Sequence, residues 1–311
     1  MSRTSTTLVG LAALGVAGLG YAVAEAHRYT LRRTEAAVLP PGQPSLRVLH
    51  ISDMHLTPRH RGRVAWVQSL DVLDPDLVVV TGDFLAHQEA VPVAVEALGP
   101  LLERPGVFVL GSNDYFGPGV VRPWRYLTGP SELEKQRPPL PWGDLVKALG
   151  EAGWHDLSNA RASLTVDGRS IDVRGVDDPH IRRDRYDEVA GPFDDRADLA
   201  LGVTHAPYLR VLDAMAADGA DLVLAGHTHG GQLCIPGVGA IVTNCDLEPA
   251  RARGLSRHAR PWDGAGDAGL GGPDGRGAFL HVSAGLGTAP SAPVRFACPP
   301  EATLLTLTPH V

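Results

Sequence analysis

The sequence predicts an α/β fold, and three observations lead there. From Leu46 onward, short apolar runs alternate with segments whose apolar residues recur at helical spacing. Each early run ends in a small polar cluster rather than in a tight hairpin, which suggests parallel strands joined by right-handed crossovers. Further on, an Asp167-Gly168 dipeptide between two alternating segments marks a hairpin, so the second half of the chain starts antiparallel.

The elements follow in order. Leu46 to Ile51 reads as a first strand and runs into Ser52-Asp53-Met54-His55. Val64, Val67, Leu70 and Leu73 mark a helix that Asp74-Pro75-Asp76 ends. Leu77 to Val80 is a buried strand leading to Thr81-Gly82-Asp83, and a helix with Val95, Leu98 and Leu101 follows. Val107 to Leu110 then delivers Gly111-Ser112-Asn113-Asp114. Residues 117 to 143 carry clustered prolines with Trp124, Arg125, Tyr126 and Trp142 between them, the pattern of a long loop that is either a surface excursion or a substrate-facing wall. Leu145 and Leu149 belong to a short helix, and Leu164 to Val173 is the hairpin. Gly175 to His180 leaves the hairpin, with Asp177 and Asp178 placed to shape a pocket. Leu199 to Val203 delivers Thr204-His205-Ala206-Pro207, and a helix with Leu209, Leu212 and Met215 leads to Asp221-Leu222-Val223-Leu224. That strand presents Ala225-Gly226-His227-Thr228-His229-Gly230-Gly231. An Arg-, Gly- and Asp-rich loop is expected over about 250 to 276, and the last strands are 278–282 and 303–307.

The N-terminal part differs. Leu8 to Ala24 is uncharged and apolar, 17 residues at the short end of what spans a bilayer, with Arg28, Arg32 and Arg33 after it. Residues 1–33 are therefore expected to be a single-pass membrane anchor; Ala22-Val23-Ala24 offers the alternative of a cleaved export signal. The heavier basic flank is C-terminal, which by the positive-inside rule favours a cytoplasmic domain without fixing the side. Residues 34–45, rich in proline, are expected to be a linker, and 46–311 a single domain with no internal repeat.

Composition narrows the function. A formal charge of −7 gives no basic face for a nucleic-acid partner, although bound divalent ions would offset several carboxylates. Three cysteines, Cys234, Cys245 and Cys298, without a Cys-x-x-Cys spacing form neither a disulfide framework nor a zinc knuckle. They read as buried thiols with at most one bridge. Nothing in the sequence sets the oligomeric state.

In open α/β sheets ligands bind beyond the carboxyl ends of the strands, and that is where the polar clusters fall. Five strand ends present Asp53 with His55, Asp83, Asn113, His205, and His227 with His229. Carboxylates, imidazoles and an amide form a mixed N/O set that suits Mn²⁺, Fe or Zn²⁺. Seven ligands exceed one ion's need and fit two ions sharing a carboxylate. Such a pair clamps the attacking and leaving oxygens of an in-line displacement and lowers the pKa of a bridging water, so the chemistry expected is phosphate-ester hydrolysis.

These residues resemble the calcineurin-like metallophosphoesterases through Asp53-x-His55, Gly82-Asp83, Gly111-Ser112-Asn113-Asp114, Thr204-His205-Ala206-Pro207 and Gly226-His227-Thr228-His229-Gly230-Gly231-Gln232, over about residues 46 to 309. Ser283-Ala284-Gly285-Leu286-Gly287 and Pro300-Glu301 look like a branch of bacterial membrane-associated or exported phosphoesterases. The resemblance implies a four-layer αββα sandwich of two mixed sheets. It implies that Asp53, His55 and His229 hold one metal, that Asn113, His205 and His227 hold the other, and that Asp83 bridges them. It also implies a hydrolase acting on a phosphodiester or pyrophosphate, in a lipid- or nucleotide-linked substrate.

One departure bears on activity. The family's third block usually reads Gly-Asn-His-Asp, with the Asn a ligand and the His over the phosphate; here it reads Gly111-Ser112-Asn113-Asp114. Either Asn113 reaches the metal and the acid role is vacant, or Ser112 or water completes the site and Asn113 donates to the phosphate. Asn113 and Asp114 are thus the candidate catalytic residues of this block, Asp114 chiefly by orienting the Asn113 loop. His180 and His87 are the candidates to replace the missing imidazole. Arg59-His60-Arg61-Gly62-Arg63 is a candidate anion-binding loop. The alternative function is a membrane-tethered metal- or phospholipid-binding protein with little or no turnover.

Overall fold

The computed structural model describes residues 15–119, 137–259, 277–288 and 292–310. Residues 15–25 are helical (α1), and the chain then builds two six-stranded sheets. The first has the order β1-β14-β2-β3-β4-β5 and the second β12-β13-β9-β8-β7-β6.

The crossover argument holds for the first sheet. β2 (Leu46–Ile51), β3 (Leu77–Thr81), β4 (Gly106–Val109) and β5 (His155–Asp156) pair in parallel. Between them run α2 (Arg61–Gln68), α3 (Val91–Leu98) and α5 (Trp142–Glu151), with the single turn α4 (Ser112–Tyr115) after β4. A 3₁₀ turn, Ser69–Leu73, extends α2, and Asp74 ends it in the left-handed region with φ 47°. The buried face of α3 is Val93, Ala94, Ala97 and Leu98 rather than one centred on Val95. In the second sheet the β6 (Ala160–Val166) and β7 (Arg169–Gly175) hairpin turns on Asp167 and Gly168, both at positive φ. β8 (Leu199–Thr204), α6 (Leu209–Ala217), β9 (Leu222–Ala225) and β13 (Ala278–Val282) complete its parallel part. A small hairpin, β10 (Cys234–Ile235) with β11 (Gly239–Ala240), stands apart from both sheets.

Three apolar cores define the layers. Val48, Val79 and Val107 of the first sheet meet Val173, Leu201 and Leu224 of the second. Alternate residues of the first sheet, including Leu49, Ile51 and Val80, pack on α2, α3 and α5. Ala200, Val223 and Leu280 pack on α6. This is a four-layer αββα sandwich in which the two strand faces are sorted by the period-two alternation of their side chains.

Two expectations at the margins change. Residues 34–39 are not linker: β1 (Thr30–Leu39) pairs in parallel with β14 (Glu301–Pro309), and Ala36, Val38 and Leu39 are buried. The last strand would otherwise leave an apolar edge unpaired, and β1 covers it. Only residues 40–45 connect β1 to β2. Within the expected 250–276 loop, β12 (Gly254–His258) pairs antiparallel with β13. Residues 260–276 of that loop, and Trp124, Arg125 and Tyr126 of the proline-rich segment, lie outside the described residues. No helix among the described residues is long and apolar enough to cross a membrane, and residues 8–14 of the apolar run lie outside them.

If β1 is part of the core, Leu39→Ala, at a fully buried position, costs about 2–5 kcal/mol in urea denaturation. Pro41→Ala, in the connection, stays within about 0.5 kcal/mol. Equal, small effects at both positions would return residues 34–45 to a linker.

Candidate metal centre

Each ligand candidate sits where a strand stops and the backbone turns back. Asp53, His55, Asp83, His227 and His229 have φ between 42° and 70°, a region that L-residues enter at a cost. Strain of this kind persists when surrounding contacts over-determine it, and here they do. The Asp53 N–H donates to the Gly82 carbonyl, that of His55 to Asp83, and that of Gly226 to His205. Glycine is required at two close approaches. A methyl at Gly226 would overlap Ser52 Oγ and the Asp53 carboxylate, and one at Gly111 would overlap Asp83 and the His205 ring.

The side chains converge. Asp83 Oδ2 is 3.5 Å from His55 Nε2 and 3.5 Å from His205 Nε2. His55 Nε2 and His229 Nε2 are 3.3 Å apart, and His229 Nε2 is 3.6 Å from Asp53 Oδ1. His227 Nδ1 lies 3.3 Å from His205 Nε2. Two groups, Asp53/His55/His229 and Asp53/Asp83/His205, each bring their ligand atoms within 4.8 Å of one another, all from buried residues.

Outer contacts fix which imidazole nitrogen faces inward. His205 donates from Nδ1 to the Thr81 carbonyl at 2.6 Å, which turns Nε2 toward Asp83. His227 donates from Nε2 to the Asn244 carbonyl at 3.2 Å, leaving Nδ1 for the cage. Thr81 is held in turn: its hydroxyl is 2.9 Å from His50 Nε2, and His50 meets His281 across the sheets. Asp53 Oδ2 accepts from Ser52 Oγ at 2.5 Å and from the His227 N–H at 3.0 Å. Its Oδ1 is buried and has no hydrogen-bond partner among the described residues.

Electrostatics make the set a cation site. Burial lowers the His55 imidazole to about 4 and drives His227 and His229 well below the usual range, so all three are neutral at pH 7. Burial also pulls His205 down, but Asp83, Asp178 and Asp53 outweigh it and hold the ring up at about 9. Asp53 is raised by burial. Asp83 is also pushed up by burial, yet His205, His55 and Asn113 together bring it below the ordinary carboxylate range. The buried Asp53 oxygen without a hydrogen-bond partner calls for a cation, and the neutral imidazole nitrogens of His55 and His229 beside it suit one. The residues present fit a pair of divalent ions. Asp53, His55 and His229 can hold one; Asp53, Asp83 and His205 converge for the other with His227 Nδ1 beside them, while the expected ligand Asn113 turns its Nδ2 to Asp83 and its Oδ1 to Arg137.

The divergent turn is resolved in detail. The Asn113 backbone N–H donates to Asp83 Oδ1 at 2.8 Å, and its side-chain amide lies 2.7 Å from Asp83 Oδ2. Asn113 therefore reaches the shared carboxylate, while Ser112 is buried beside it. Asp114 has no exposed surface, and its oxygens accept N–H bonds from Asp83, Gly111 and Leu85. It ties two ligand loops together and has no route to a substrate.

Of the two histidines considered as replacements, the structure brings in one. The His180 ring lies 4.5 Å from that of His227, and its Nδ1 is 3.1 Å from the Tyr208 hydroxyl. His87 is half exposed beside Glu89 and does not join the cage. Asp178 is buried, accepts the His180 N–H, and leaves Oδ2 without a hydrogen-bond partner among the described residues; burial, above all, raises its carboxyl to about 7. Asp177 instead anchors Tyr115 and Arg183. In the basic loop, Arg61 pairs with Glu96, and buried Arg63 holds the Met54 and His55 carbonyls.

Sequence reasoning missed two arginines. Arg137 donates to Asn113 Oδ1 at 2.5 Å and to the Phe116 carbonyl at 2.8 Å. Arg295, fully buried, donates to the carbonyls of His229, Ala284 and Gly285, clamping the last ligand loop against residues 283–287. Neither sits in a motif. Arg137 lies within the proline-rich segment 117–143, whose reading as either a surface excursion or a substrate-facing wall is the one signal that could have flagged it.

The comparisons with known proteins agree with this geometry. Over residues 46–231 the chain matches the family model described as calcineurin-like phosphoesterase. It is 24% identical over 306 residues to an uncharacterized metallophosphoesterase of Bacillus subtilis, YkuE, covering 93% of this chain and 90% of that one. It is 29% identical over 223 residues to a bovine transmembrane protein with a metallophosphoesterase domain. That match covers 66% of this chain but 45% of the bovine protein, so the chain spans under half of that relative's length. Among solved structures, the 5′-nucleotidase precursor of Thermus thermophilus matches with a TM-score of 0.42 at 15% identity, over 84% of this chain and 55% of that one. With a family model covering more than half of its length and buried Asp/His clusters at the strand ends, this chain belongs to the calcineurin-like phosphoesterases.

Proposed function

We propose that the protein is a dinuclear metal-dependent phosphoesterase acting on a phosphodiester or pyrophosphate, associated with a membrane through its N-terminal segment. The observation that carries this reading is Asp83 Oδ2, placed 3.5 Å from an imidazole of each half of the cage. When bound, a pair of Mn, Fe or Zn ions supplies Lewis acidity and an acidified water, with no serine or cysteine nucleophile needed.

The chain's own residues do the remaining work. Asp114 and Arg295 hold the ligand loops fixed, so the cage is organised before substrate arrives. Asn113 occupies the turn where an imidazole is usual in the family, and Arg137 brings a fixed positive charge to its amide oxygen. A guanidinium stabilises developing charge on a phosphoryl group but does not protonate a leaving oxygen. That supports substrates whose leaving group departs without strong acid help, which diesters with good leaving groups and pyrophosphates provide. His180, whose ring lies 4.5 Å from that of His227, is the imidazole to which we assign proton donation.

A second reading rests on the same turn. With no imidazole at Asn113, the protein can hold metal and bind phosphoesters with little turnover. The two are separated by metal analysis together with hydrolysis of bis-p-nitrophenyl phosphate in Mn²⁺. The phosphoesterase reading expects metal-dependent turnover that falls to background in Asp83→Asn. Bound metal without turnover above that control supports the binding reading. Faster hydrolysis of p-nitrophenyl phosphate than of the diester would instead indicate a phosphomonoesterase.

Arg137→Ala is expected to lower kcat by roughly 10²–10³ while leaving metal content unchanged, the size of effect seen when one preorganised charge-stabilising donor is removed. Unchanged kcat would leave Arg137 a loop fastener only.

Metal uptake carries a proton signature. His205 is protonated in the metal-free cage up to about pH 9, whereas His55, His227 and His229 are already neutral at pH 7. Metal loading at pH 7 should therefore release at least one proton per chain, the raised Asp53 and Asp178 carboxyls adding to it, and affinity should rise with pH until about 9. Calorimetry in buffers of different ionisation enthalpy reads this directly; no proton release would contradict the assignment of His205.

A further inference from the structure

Nine large apolar side chains are markedly exposed among the described residues, and seven of them lie on two neighbouring elements. Val16, Leu19, Tyr21 and Val23 are on α1; Ile235, Val238 and Ile241 are on and beside the β10–β11 hairpin. Phe296 joins the two. Its ring is 5.1 Å from that of Tyr21, its carbonyl accepts the Cys234 N–H at 2.8 Å, and the adjacent Arg295 N–H donates to the Ala22 carbonyl.

The hairpin is uncharged and aliphatic. Residues 233–244, Leu-Cys-Ile-Pro-Gly-Val-Gly-Ala-Ile-Val-Thr-Asn, contain no charge, and Val238 at the tip is 79% exposed. A water-exposed turn ordinarily carries polar residues; this one presents aliphatic ones. The apolar character also extends beyond the described part of α1, since Leu8 to Leu14 is uncharged as well. On the other side of α1 follow Arg28 and Arg33, which suit anionic head groups, Arg32 between them being paired with Glu301.

The same hairpin is built onto the metal centre. It starts a few residues after His229, Gly231 fits only because it packs directly against Ala240, and Asn244 returns to accept from His227. Whatever the hairpin enters therefore lies at the rim of the cage.

We propose that the β10–β11 hairpin and the exposed face of α1 form one surface that docks into a phospholipid bilayer, presenting the metal centre to phosphoesters carried on lipid head groups. The substrate class rests on the phosphoesterase reading above; the docking does not. A bilayer is favoured over a protein partner because the patch is wholly uncharged at its tip, flanked by arginines and continuous with the apolar N-terminal run.

The test uses the full chain reconstituted in vesicles of phosphatidylcholine and phosphatidylglycerol. A nitrobenzoxadiazole label is placed at Val238→Cys in a Cys245→Ser background, Cys234 and Cys298 being buried. The control label is at Val72→Cys, 85% exposed and ahead of β3, at the end of the first sheet away from the metal centre. The expected result is a blue-shifted emission and quenching by nitroxide-bearing lipid at position 238, with neither at 72. Three results overturn the proposal: equal quenching at both positions, iodide access at 238 as at 72, or shielding from iodide at 238 without quenching by lipid, which would mean a second protein copy covers the patch. Hydrolysis of bis-p-nitrophenyl phosphate by the same samples tests the phosphoesterase reading separately, since that soluble diester needs no docking.

Discussion

Two carboxylates without access to water set the terms for this structure. Asp53 and Asp83 are buried among four imidazoles at the line where the two sheets meet, and Asp53 keeps one oxygen with no hydrogen-bond partner among the described residues. Burying such charge is costly unless a cation offsets it. A proton on His205 does part of this in the metal-free protein, and divalent ions would do it more completely. The cage is thus stable only as a partner of positive charge, which is what a metal-dependent hydrolase requires of it.

Everything near the cage serves to keep those groups in place. Five of the ligand candidates adopt left-handed backbone, and no single contact holds them there. Asp114 gathers three N–H groups from two loops, and Arg295 gathers the carbonyls of two more. Glu301 links this clamp to the margin of the fold: it accepts from the Ala284 N–H on one side and from Arg32 of β1 on the other. The edge strand is therefore mechanically connected to the loop that faces Asp53, and the helix before it touches Arg295. The N-terminal helix and the candidate metal centre share one set of contacts.

How much of this the sequence disclosed depended on whether the signal was local. Strand-end clusters such as Gly82-Asp83 and Gly226-His227-Thr228-His229 are contiguous, so their positions and their convergence at the sheet edge could be read directly. The layers followed from periodicity, because strand and helix spacing sort residues to faces. β1 was missed because its alternation is imperfect and prolines follow it; its partner, β14, is some 270 residues away, and only that long-range pairing makes residues 30–39 a strand. Arg137 and Arg295 were missed for the same reason. Each is a single residue with no pattern around it, and each matters through contacts with loops distant in sequence. The Ser112-Asn113 departure was visible, but the path of the turn, which sets the Asn113 amide against Asp83, was a question of backbone geometry.

The substitution in that turn, the guanidinium against Asn113 and the uncharged hairpin are the features on which the proposed interfacial phosphoesterase rests. Its foundation is still the metal pair. Electron paramagnetic resonance of the Mn²⁺-loaded full chain tests that most directly. The account predicts two manganese ions per chain with the signal of an exchange-coupled pair, lost in Asp83→Asn. A single, magnetically isolated ion, or a pair whose coupling survives that substitution, would contradict it.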